Sequence, residues 1–201
     1  MVSLNTVNLP NAISFSRIPL LFVIAALLYC SWMGAATIAF ILFVIGGLSD
    51  WLDGYLARKN NNISNFGKIL DALTDKIFVL GVIITLLAIG ILPNWSLFLV
   101  LIILGREFLI TGLRLIAASH GTILAAERGG KIKTLIQLFS VGTLICDYAF
   151  VVDYGRWINL QFIEIVYYCG LGLFVLATLL TLQSGFYYIQ KYKHLFLKNP
   201  L

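Results

Sequence analysis

The chain has 201 residues, 60% of them hydrophobic and 11% charged, where soluble domains run about 45–50% apolar and about 25% charged. That excludes a soluble globular enzyme, a disordered tail and a disulfide-stapled secreted module. A transmembrane β-barrel is disfavoured too, because the apolar stretches are continuous rather than alternating. The net charge of +5 fits basic residues flanking membrane spans and meeting anionic lipid, with no nucleic acid as partner.

Some 120 apolar residues supply about six helices of roughly 20 residues each. The predicted spans are 15–31, 34–57, 69–92, 95–118, 133–151 and 160–185, one all-α integral membrane domain over 1–201. No basic residue precedes the first apolar stretch, a pattern unlike a cleaved signal peptide. The connections at Ser31–Met33 and Pro93–Asn94 are uncharged, and the one between spans five and six carries Asp153 and Arg156. The opposite side collects Arg17, Arg58, Lys59, Lys68, Lys76, Arg128, Lys131, Lys133, Lys191, Lys193 and Lys198. The positive-inside rule therefore predicts both termini in the cytoplasm of a multi-pass protein of the cell's inner membrane. Cys30, Cys146 and Cys169 are single, form no metal-spaced pair and read as packing residues. No G-x-x-x-G pair marks a dimer face.

Span two ends Asp50-Trp-Leu-Asp53-Gly54-Tyr-Leu-Ala57-Arg58, and span three opens Gly67-Lys-Ile-Leu-Asp71-Ala-Leu-Thr-Asp75. Residues three and four apart share a helix face. Asp50, Asp53, Gly54 and Ala57 therefore make one stripe, and Gly67, Asp71 and Asp75 make another. The link 59–66 is short and polar, so the two spans are expected to be antiparallel neighbours with both acid pairs at the cytoplasmic end. Carboxylates at a membrane boundary are costly and mark a functional site. All-oxygen donors suit Mg²⁺, Mn²⁺ or Ca²⁺, and four negative charges balance two such ions. Paired metals serve in-line displacement at phosphorus. Small side chains beside the acids leave room for a phosphate ester, and Arg58 can pair with phosphate. Taken singly, Arg58 and Lys59 also fit a helix C-terminus or snorkelling, and Gly54 and Ala57 also fit helix packing.

The run Asp50-x₂-Asp53-Gly54-x₂-Ala57-Arg58-x₈-Gly67-x₃-Asp71-x₃-Asp75 resembles, at every defined position, the signature of the CDP-alcohol phosphatidyltransferases. Members of that family are six-span membrane enzymes, commonly homodimers, that displace CMP from a CDP-linked lipid with an acceptor alcohol. The resemblance implies two metal ions, Mg²⁺ or Mn²⁺, on Asp50, Asp53, Asp71 and Asp75. It also implies Asp75 as the base for the attacking hydroxyl, and contacts to CDP-diacylglycerol from Gly54, Arg58 and Ser64, with Ala57 and Gly67 beside them. Ser64 equally fits an N-cap of span three.

Span four carries Arg106, Glu107, Thr111 and Arg114, the last three forming a polar stripe at i, i+4 and i+7. Gly130-Lys131-Ile-Lys133-Thr134 leads into span five. Arg106 and Glu107 also suit a structural ion pair, and Lys131 and Lys133 ordinary flanking charge. With Arg114, they read together as a site for an acceptor that is itself phosphorylated. Asn8-Leu-Pro10-Asn11, Ser49 to Arg58, Arg106 to Arg114 and Gly130 to Thr134 are similar to the branch of the family whose acceptor is sn-glycerol 3-phosphate. Ala72 departs from that branch's usual proline, which touches rigidity rather than chemistry. Beyond Leu135 no residue is assigned to substrate. The alternatives are the same chemistry on phosphatidylglycerol, serine or an inositol phosphate, and a divalent-cation or proton-coupled transporter, which would place its acids at broken helices near the midplane.

Overall fold

A computed structural model of the chain describes the backbone of residues 9–60, 65–119, 128–155 and 157–198, and the side chains of 15–49, 73–117, 130, 132–155 and 157–192. Among these residues there are six helices and no strands: α1 Leu9–Tyr29, α2 Ala35–Asn60, α3 Asn65–Ala88, α4 Ser96–Ser119, α5 Arg128–Tyr154 and α6 Leu160–Lys198. The stretches Ser96–Ala117, Ile132–Tyr154 and Leu160–Tyr192 are long and apolar enough to cross a membrane, and Phe15–Tyr29 and Ala35–Ser49 are shorter apolar helices. Side chains such as Phe22, Phe98, Phe139 and Leu160 point outward, as they do where lipid replaces water as the solvent.

The helix ends differ from the sequence expectation for local reasons. The apolar pattern carries span three to 92, but α3 stops at Ala88 because Gly90 takes a φ of 80°, a left-handed conformation that glycine adopts without steric cost. The Ile91 N–H then donates to the Leu86 carbonyl at 3.0 Å, the closing bond of a Schellman-type cap. α5 begins at Arg128 rather than 133, which puts Lys131 and Lys133 inside its first turns. α6 runs for 39 residues, about 58 Å at 1.5 Å per residue. The hydrocarbon layer is only about 30 Å thick, and the last turn of α6, from Lys193 to Lys198, continues past the apolar stretch that ends at Tyr192. Cys30 and Cys169 lie on the exterior rather than in the packing, and all three cysteines are free.

α1 packs on α2 and α3, α5 on α2 and α6, and α4 on α6 and α3, while α3 also reaches α5. One core joins them, built from Ile24 and Leu28 of α1, Phe43 of α2, Phe78 and Ile83 of α3, and Leu144 of α5. α2 and α3 meet where the Phe43 and Phe78 rings stack at 5.8 Å. A Cβ at Gly46 would lie 2.6 Å from the Phe78 ring, so any larger residue there would force that ring to shift. Neither helix is interrupted along its described length, which argues against a transporter's broken helices.

Asp153 closes the other end of the bundle. Its carboxylate accepts the Gly34 N–H at 2.8 Å, the Thr37 N–H at 2.8 Å and the Thr37 hydroxyl at 2.6 Å. A residue of α5 therefore caps the N-terminus of α2, where orphan amides and the helix dipole both favour an anion. Asp153→Ala is expected to cost about 2 kcal/mol, seen as a lower midpoint of thermal unfolding in detergent. Asp153→Asn keeps acceptors for only part of the cap and should lose about half as much. Equal stability of Asp153→Ala and the unmodified protein would contradict the capping role.

Candidate active site

α3, α4 and α5 converge around a small cavity that carries both charged and apolar side chains. Asp75, Lys76, Val79 and Leu80 of α3 line it, with Glu107 of α4 and Lys133, Thr134 and Gln137 of α5. At about 60 Å³, it has room for roughly four to six water-sized groups. A short polyol fits that space and a nucleoside does not.

Glu107 organises the wall. It is 8% exposed. Its Oε1 accepts from Arg106 Nη1 at 3.1 Å and from the Lys133 ammonium, and Lys76 Nζ stands 3.6 Å from Oε2. Lys76 also donates to the Thr111 hydroxyl, which in turn donates to the Glu107 carbonyl at 2.7 Å. Arg106 reaches across to Ser184 Oγ of α6 at 3.1 Å. Lys133 is 3% exposed, and a buried ammonium persists only with such a partner. Glu107 and Asp75 are two carboxylates against the three cations Lys76, Lys133 and Arg106, so the cluster keeps one positive charge in surplus beside the cavity. That surplus suits an anion.

Of the residues singled out in the sequence, the structure brings Asp75, Glu107 and Lys133 together. Arg114 does not line the cavity: its Nε donates to the Tyr188 hydroxyl at 3.4 Å and its guanidinium lies 5.4 Å from the Tyr188 ring centre. Asp50, Asp53, Gly54, Ala57 and Arg58 stand on the last turns of α2, and Gly67 and Asp71 on the first turns of α3. Their side chains, with that of Lys131, lie outside the described residues, as does Ser64 altogether. The backbone register still relates the two stripes. From the Gly46–Phe78 contact, Asp50 is one turn further along α2 and Asp75 one turn back along α3. The acids of the two helices therefore occupy the same level. Among the described residues no group of three or more His, Cys, Asp or Glu forms a metal cluster.

Lys76, Thr134 and Gln137 were not singled out as site residues. Lys76 had the signal of adjacency to Asp75, and Gln137 sits one turn beyond Lys133 on the same face. Arg17, counted in the sequence with the flanking charges, is 1% exposed on α1.

An all-helical membrane protein with a carboxylate and a cation cluster lining a polyol-sized cavity has the construction of an enzyme acting on phosphate-linked groups at a bilayer. The profile of "CDP-alcohol phosphatidyltransferase" matches residues 7–183, and the chain belongs to that family. It is similar to a CDP-diacylglycerol–glycerol-3-phosphate 3-phosphatidyltransferase of Bacillus subtilis (strain 168), 38% identical over 92% of this chain and 94% of the relative. Proteins with the same name from Rickettsia felis and Mycoplasma pneumoniae are 33% and 37% identical. They cover 94% and 80% of this chain, and 97% and 69% of their own lengths.

Proposed function

We infer that the protein transfers a phosphatidyl group from CDP-diacylglycerol to sn-glycerol 3-phosphate, giving phosphatidylglycerophosphate and CMP. The observation that carries this reading is the cavity in which Asp75 stands beside the surplus cations of Lys76, Lys133 and Arg106. A base and a phosphate-attracting surface within one polyol-sized space suit an acceptor that is both an alcohol and a phosphate. The relatives' shared name supports the same pair of substrates.

In this reading the lipid tails stay in the bilayer and the diphosphate lies against the ends of α2 and α3, held by Arg58 and admitted by Gly54, Ala57 and Gly67, with Ser64 in the link. Asp75 takes the proton of the acceptor's primary hydroxyl. That oxygen bonds to the lipid-proximal phosphorus, the bond to CMP breaks, and CMP departs. Lys133 and Lys76, with Lys131 at the entrance, hold the acceptor's phosphate; Arg114, against Tyr188, adds to the positive field behind them. Asp50, Asp53, Asp71 and Asp75 would hold two divalent cations, Mg²⁺ or Mn²⁺. Their oxygen-only donors, on two helices at one level, fit such hard ions. When bound, the pair supplies charge neutralisation at the reacting phosphate. The protein's own part is positioning and a fixed electrostatic field.

The distribution of lysines and arginines supports an active site facing the cytoplasm of the inner membrane, with both termini on that side. A homodimer is expected from family resemblance. The test offers the purified protein labelled CDP-diacylglycerol with glycerol 3-phosphate, phosphatidylglycerol, serine or an inositol phosphate, and follows CMP release. Release with glycerol 3-phosphate, lost on chelation and restored by Mg²⁺ or Mn²⁺, is the expected result. Release with serine alone would overturn the acceptor assignment.

A further inference from the structure

Gln137 is out of place in an apolar helix. It stands among Leu135, Ile136, Leu138 and Phe139 on α5, and only 5% of its surface is exposed. A buried primary amide normally finds partners, because leaving its donors and acceptor unmet is costly. Gln137 has no hydrogen bond to any described residue, whereas its neighbours in the stripe are engaged. Lys133 meets Glu107, the Thr134 hydroxyl donates to the Gly130 carbonyl at 2.9 Å, and Ser140 donates to the Gly170 carbonyl at 2.8 Å. What the Gln137 side chain faces is the cavity it lines with Asp75, Lys76 and Lys133.

Its position narrows what it can hold. Gln137 is four residues beyond Lys133, about 6 Å further along α5, and the deep wall opposite is Val79 and Leu80 of α3. The cations nearer the mouth answer to a phosphate, and Asp75 answers to the reacting hydroxyl. The acceptor proposed above has one polar group left, the hydroxyl on its middle carbon. A neutral amide offers both an acceptor and donors to such a hydroxyl without competing with the lysines for the phosphate.

We propose that Gln137 is a specificity-determining residue that hydrogen-bonds the middle hydroxyl of the glycerol phosphate acceptor. This rests on the acceptor reading above. A site built to pair with a hydroxyl rejects the analogue that lacks it, because its own polar group is then stranded.

The experiment compares glycerol 3-phosphate with 3-hydroxypropyl phosphate, which keeps the phosphate and the reacting hydroxyl and lacks the middle one. The full-length protein, in CDP-diacylglycerol micelles with Mg²⁺, is assayed by CMP release. The unmodified protein should favour glycerol 3-phosphate in kcat/KM by roughly ten- to a hundredfold. In Gln137→Met, which keeps the length and loses the amide, that ratio should fall toward one. A ratio unchanged by Gln137→Met overturns the proposal. Should that variant fail to fold, Gln137→Leu is read in the same way, and a ratio near one in the unmodified protein also overturns the proposal. Absence of CMP release with glycerol 3-phosphate in the unmodified protein removes the acceptor reading, and this inference with it.

Discussion

Asp75→Asn is expected to lower turnover with CDP-diacylglycerol and glycerol 3-phosphate by at least about 10³-fold. The substitution is isosteric, so the packing of α3 against α4 and α5 should survive, and the thermal unfolding midpoint should stay within about two degrees. What is lost is a proton acceptor at the wall of the cavity and the negative charge that a divalent ion would need. General-base removal alone accounts for about 10²–10⁴, and the weakened metal site adds to it. The measurement is CMP release under single-turnover conditions, paired with a melt in detergent. Turnover within about tenfold of the unmodified protein would transfer the role of base to another group.

The largest expected effect on stability is at Glu107. In Glu107→Leu, the Lys133 ammonium, the Arg106 guanidinium and the Lys76 ammonium lose their shared counter-charge. Lys133 is then buried with Asp75 as the opposite charge left beside it. Removing one member of a buried ionic cluster costs about 3–5 kcal/mol, far more than intact pairs contribute, because uncompensated charge is left inside. Adding Lys133→Met to Glu107→Leu should restore a substantial part, since the two residues interact directly and their effects are not additive. Chemical denaturation of the single and double variants in mixed micelles checks this. Additive losses would show that Glu107 supports α4 in some way other than by holding Lys133.

The contrast between these residues shows what the sequence could carry. The number of helices was legible because lipid solvation demands long apolar runs, and six runs give six helices. The acid stripes were legible because i, i+3 and i+4 spacing is a local property of a helix. Helix ends were less so: α3 stops where Gly90 turns left-handed, and a glycine after an apolar run has many other uses. The wall of the cavity was only half legible. Glu107 and Lys133 are 26 residues apart, and nothing local requires that α4 and α5 present them to each other. Arg114 was expected among the phosphate-binding cations, yet α6 brings Tyr188 against it from 74 positions away. Arg17 looked like one more flanking charge, and only the packing of α1 reveals that its side chain is enclosed. Gln137 carried no charge to draw attention, and its burial is a property of the assembled bundle.

The clasp made by Asp153 has a consequence for the order in which the chain is completed. Thr37 and the residue that caps its helix are separated by 116 positions. At about 5–20 residues per second, that stretch takes roughly 6–23 s to synthesise. During this interval the start of α2 has none of the three bonds that Asp153 supplies. The first hairpin therefore enters the bilayer with one end unfastened, and its closure falls to a helix made more than a hundred residues later. A chain cut short before α5 would keep the acid motif and lack the fastening.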